Sequence, residues 1–157
     1  MRRSNADIRA EGERHVVAGL RRRGIEYRLE PQSRRNDIVV MSAIGRLTVQ
    51  VRVTSLGQRQ GWLLTNELED VTDDRVLYAF VNTEPSEPET FFIPAAVVSD
   101  VLRTSHAAWL ATPGRGGRPH RDQPMRMILM DYRFPVQGYP PGWLEQYRER
   151  WDLLESR

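Results

Sequence analysis

Asp37-Ile38-Val39-Val40-Met41 and Arg46-Leu47-Thr48-Val49-Gln50-Val51-Arg52-Val53-Thr54, joined through Ala43-Ile44-Gly45, are the stretch that decides the fold. Both arms are rich in β-branched residues, and the glycine between them marks a reversal, so the pair reads as a β-hairpin. In the second arm Leu47, Val49, Val51 and Val53 share one face, while Thr48, Gln50 and Arg52 share the other, by the period of two. A reversal centred on Ile44–Gly45 places Asp37 opposite the Gln50 to Arg52 stretch in antiparallel pairing. Asp37, Gln50 and Arg52 are then candidates for one polar site.

Upstream, Asn5 to Arg23 has helical spacing, with Asn5 as the expected N-cap and Gly24 as the C-terminal stop. Counting back from Val16, Val17 and Leu20 by helical steps puts Glu13 at the head of the core-facing row. Glu11 falls on the side of Arg14 and Arg22 and reads as a solvated carboxylate. An extended piece over Ile25–Leu29 and a polar loop at Pro31–Arg35 lead into the hairpin. Downstream, a polar loop precedes Gly61-Trp62-Leu63-Leu64, Arg75–Val81 is strongly β-prone, and Phe91-Phe92-Ile93 ends at Pro94, a helix-start signal. Ala95–Leu102 is helical, with an extension to Leu110 after a break near Thr104-Ser105. Met125–Met130 reads as a short strand, and Trp143–Glu155 as an arginine-rich terminal helix. This order predicts a single α+β (or α/β) domain over residues 1–157, a mixed β-sheet flanked by helices, with a basic loop and the terminal helix packed on it from residue 112.

The chain has 157 residues and no cysteine, and all 23 of its basic residues are arginine. Disulfides, thiolate metal sites and thiol nucleophiles are thereby excluded, as are a phosphate-loop lysine and a Schiff-base lysine. The absence of cysteine fits a reducing, cytoplasmic setting, and no apolar run reaches the ~20 residues of a membrane helix. A net charge of +2 permits contact with nucleic acid without demanding it. Arg115, Arg118 and Arg121 make the densest positive stretch of the second half and are the expected nucleic-acid contacts. His120-Arg121-Asp122 copies a kinase triplet but lacks the lysine and glycine-rich strand that give it meaning. His15, His106 and His120 have no ligand spacing. Trp62, Trp109, Trp143 and Trp151 are core anchors before they are base-stacking platforms.

Glu13, Asn36-Asp37 and Gln50-Val51-Arg52 resemble the pattern of the PD-(D/E)XK nuclease superfamily: a helix glutamate, a strand aspartate, then acidic-or-glutamine, any residue, lysine. The landmarks Val49–Thr54, Trp62-Leu63, Leu77–Val81, Phe91–Pro94, Trp109-Leu110 and Arg150–Leu154 are similar to a bacterial branch of that superfamily over nearly the whole chain. Residues 127–142 exceed that branch's usual length. The resemblance implies a restriction-endonuclease-like core and Mg²⁺- or Mn²⁺-dependent hydrolysis of DNA. Asp37, Gln50 and the Val51 carbonyl would be metal ligands, Glu13 a support through water, and Arg52 a stabiliser of phosphate charge. Arg52 replaces the family's lysine and Asn36 its proline, and an arginine takes no proton from water. The alternative function is a catalytically inactive binding module of the same fold, its site closed by Arg52, whose partner is nucleic acid or protein. A homodimer is the expected assembly if the chain self-associates.

Overall fold

Helix α1 (Asn5–Arg22) begins at the residue expected to cap it, so the cap falls one residue earlier. Ser4 holds the N-cap, its hydroxyl accepting from the Asp7 N–H at 3.1 Å while the Asp7 carboxylate reaches back to the Ser4 N–H. The helix ends as the glycine predicts: Gly24 takes φ +67°, its N–H meets the Arg21 carbonyl, and the Ile25 N–H meets that of Leu20. These coordinates are a computed structural model, which describes residues 3–54 and 61–156. The polar loop expected before Gly61 therefore lies outside the described residues.

Strands β1 (Tyr27–Pro31), β2 (Asn36–Ser42), β3 (Gly45–Thr54), β5 (Val76–Asn82) and β6 (Glu89–Pro94) form one sheet in the order β1-β2-β3-β5-β6. Neighbours are antiparallel except β3 and β5, which run parallel. The parallel pair needs a crossover, made by β4 (Gly61–Thr65) and a 3-10 turn at Asn66–Asp70. β4 pairs with β7 (Met125–Leu129) in a separate two-stranded ribbon. The fold is thus mixed α+β, a five-stranded mixed sheet with helices, as composition and order predict.

The sheet is covered on both sides at β5 and β6, which explains the unbroken apolar run Leu77–Val81. On one side α1 packs Val16 and Leu20 against Ile38, Val49, Leu77 and Ala79, with Trp151 closing the layer. On the other, helix α2 (Ala95–Ala111) and the β4–β7 ribbon cover Tyr78, Phe80, Phe91 and Ile93. α1 approaches closely because Gly12 and Gly19 lack side chains. A Cβ on Gly12 would stand 2.2 Å from a Val53 methyl carbon, and one on Gly19 2.3 Å from the Trp151 ring.

Two expectations are corrected. α2 runs unbroken through Thr104-Ser105, where the buried Ser105 hydroxyl donates to the Leu102 carbonyl within the helix. The terminal segment is no helix but two 3-10 turns, Trp143–Tyr147 and Trp151–Leu154. Between them Arg148 bridges to Phe91, and Glu149 adopts φ +52° while its carboxylate accepts from the Thr90 N–H at 3.0 Å and the Trp151 indole at 2.7 Å. Contacts with β6 hold this segment extended where local propensity alone favours a helix. Among the described residues no helix is long and apolar enough to cross a membrane.

Candidate functional site

The hairpin register is set by a turn at Ala43-Ile44, with Ser42 opposite Gly45 and the Ser42 hydroxyl donating to the Gly45 carbonyl. From that turn the ladder runs back to Asp37, which pairs directly with Gln50. Asp37, Gln50 and Arg52 therefore share a strand face at one end of the sheet, as the period of two requires. Arg52 lies over the Tyr78 ring, 5.7 Å from its centroid, and donates to Gln50 Oε1 at 3.3 Å.

A second guanidinium, absent from the sequence pattern, completes the group. Arg35 donates to the same Gln50 Oε1 at 3.0 Å, and its Nε stands 3.8 Å from Asp37 Oδ1. Among the described residues, the Nε atoms of Arg35 and Arg52 and Asp37 Oδ1 are all buried without a hydrogen-bond partner. Burial, and next the like charge of Arg35, push the Arg52 guanidinium below its ordinary value; Tyr78, Asp37 and Glu67 pull the other way. Burial raises the Tyr78 phenol, against the pull of both arginines. Arg35 stands in the turn just before β2 begins at Asn36, outside the strand, so the alternation along the strand gave no signal for it.

Glu13 does not join this group directly. Its Oε1 accepts from the Asn36 amide at 2.8 Å, and Asn36 alternates with Asp37 across the strand, so the contact belongs to the helix side. Val51 likewise packs its side chain with the α1 layer. The two sides meet at a cleft of about 1210 Å³ at the end of the sheet, between the first half of α1, residues 32–36, β3 and β4. Arg9, Arg14, Arg34, Arg35 and Arg52 line it, against Glu13 and Glu67. Its electrostatic sense is positive, and Leu63 and Met125 give it an apolar rim. Among the described residues no group of three His, Cys, Asp or Glu side chains is placed to hold a metal ion.

Arg115, Arg118 and Arg121 lie elsewhere, exposed on the segment after α2, and none lines the cleft. Their segment is pinned by its histidine: the His120 ring stacks on Trp109 with centroids 4.0 Å apart, and its Nδ1 is 2.8 Å from the Trp109 carbonyl oxygen. His106, also stacked on Trp109, bonds Asp122 at 2.8 Å. Trp62, Trp143 and Trp151 are buried anchors, whereas Trp109 is half-buried beside this loop. No protein-family model matches the chain, and neither does any curated protein or solved structure.

Proposed function

We propose that the cleft binds the phosphates of nucleic acid without a metal ion, on a nuclease-like fold whose catalytic centre is occupied by its own arginines. One observation carries this reading: Gln50 Oε1 accepts from both Arg35 and Arg52, and Arg35 also stands beside Asp37. A hard divalent cation needs several free oxygen ligands. Here the amide oxygen is taken by two cations, Glu13 is held by Asn36, and a dication beside two guanidinia would meet repulsion that one carboxylate does not offset. The donor set does not fit Mg²⁺. The same arrangement suits an anion, because two closely placed arginines present fork-shaped donors to phosphate oxygens. A helix followed by three antiparallel strands and a parallel neighbour supports the nuclease-like comparison at the level of topology.

Labelled DNA titrated with the protein in EDTA, followed by fluorescence anisotropy, tests this. Retention at low salt is expected, falling linearly on a log–log salt plot, unchanged by Mg²⁺, and weakened about tenfold in Arg35→Ala. Binding that requires a divalent cation overturns it. A second reading, metal-dependent cleavage, draws on the buried Asp37 Oδ1, which has no hydrogen-bond donor among the described residues. Plasmid nicking by wild type with Mg²⁺ or Mn²⁺, abolished in Asp37→Ala, would establish that reading instead.

A further inference from the structure

Beside the arginine cleft lies a second, smaller cavity that the phosphate reading does not use. It has a volume of about 150 Å³ and is bounded by Trp109 of α2, Met125 and Met127 of β7, and Tyr132 and Phe134 from the segment that follows. Met125, 46% exposed, lines both this cavity and the cleft. Along the ribbon Met125 pairs with Thr65 and Met127 with Leu63, and both Leu63 and Thr65 line the cleft. Strand alternation puts these four residues on one face, so the exposed face of the ribbon joins the two. Trp109, which lines the cavity, also carries the stacked His120 of the segment that bears Arg115, Arg118 and Arg121. Basic cleft, exposed ribbon face and aromatic cavity are thus contiguous.

We infer that this cavity takes one unpaired nucleobase of a single strand whose phosphates lie in the arginine cleft, so that the protein prefers single-stranded over duplex nucleic acid. The inference rests on the phosphate-binding reading above. About 150 Å³ is below the roughly 300–1,000 Å³ typical of sites for larger ligands, and suits a single planar ring system. Aromatic and thioether walls match the π-face of a base. The Tyr132 hydroxyl is spent on the Met127 carbonyl at 2.9 Å, and Arg126 is spent on Glu69 and two carbonyls. Gln123 keeps its side-chain amide free of hydrogen bonds among the described residues, and so offers a donor and an acceptor to a base edge. A duplex holds its bases stacked and paired, and reaches such a cavity only by paying to unstack one.

The test compares a short fluorescein-labelled single strand with the same strand annealed to its complement, in EDTA at low salt, together with a 2-aminopurine version of the single strand. Tighter binding of the single strand and a change in 2-aminopurine emission on binding are expected. Phe134→Ala should weaken single-strand binding about tenfold and leave the duplex unchanged. Gln123→Ala, an exposed change that leaves folding intact, should weaken it several-fold. Equal affinity for both forms, or unaltered single-strand binding in both variants, overturns the inference. If Arg35→Ala still weakens binding about tenfold in that case, the cleft reading stands alone. Retention of neither oligonucleotide at low salt removes both.

Discussion

His15 shows how one half-buried group gives the fold a pH dependence. Partial burial is the main reason its imidazole sits below the ordinary value; the Glu149 carboxylate opposes this, Arg22 reinforces it, Glu87 opposes it and Arg23 reinforces it. The folded chain thus favours the neutral ring, and the unfolded chain binds the extra proton as acid is added. The contribution is complete above the unfolded value of about 6.5 and is lost as pH falls below it. Thermal midpoints measured by circular dichroism from pH 7.5 down to 5.5 should fall more steeply for wild type than for His15→Gln. At this scale the sequence was partly readable. The alternation along β3 and the hairpin glycine sufficed to pair Asp37 with Gln50, because pleat and register are local consequences of the chain. Glu13 was placed on the correct helix row yet meets Asn36 and not Asp37, because one residue along a strand exchanges faces. The close approach permitted by Gly12 and Gly19 was missed, since it depends on Val53 and Trp151, which arrive from distant segments.

Among the elements, the β4–β7 ribbon is tied to the rest by a buried ion pair. Arg126 donates through Nε to Glu69 at 3.0 Å, with side chains only 7% and 13% exposed, and gives its Nη1 to the carbonyls of Gln123 and Met125. Removing one partner leaves a desolvated charge, so Glu69→Ala should cost about 3–5 kcal/mol in urea unfolding. Replacing both residues with methionine should cost far less, because no uncompensated charge remains. The elements that sequence periodicity located well, α1, β3, β5 and β6, bury a face or both faces of a regular repeat. The terminal segment was misread as a helix because its conformation follows from partners on β6: Arg148 with Glu89, and the Glu149 carboxylate with the Thr90 N–H. Those partners leave no periodic trace in the sequence of the segment itself.

At the scale of the whole molecule, the sheet supplies the frame and one end of it supplies the charge. The order of elements was legible, since a helix, a hairpin and two apolar strands have strong local signatures. The position of the ribbon was not, because a pairing between Thr65 and Met125 is a long-range contact with no local signal. The arginines of residues 115–121 were legible as a basic cluster, but the fastening of their segment to Trp109 was not, for it depends on the stack of His120 on that ring.

The ribbon also bears on how the chain reaches its native state. During synthesis β4 leaves the ribosome well before β7, with β5, β6 and the whole of α2 made in between, so its hydrogen-bonding edge waits for a late partner. An unpaired edge carrying the apolar Trp62-Leu63-Leu64 is a template for aggregation. Chains ended after Ala111 should therefore collect in the insoluble fraction on sedimentation of cell extracts, and co-expression of the missing segment should return part of them to solution. Completion of this late strand pairing, more than formation of the first helix, then governs the yield of native protein.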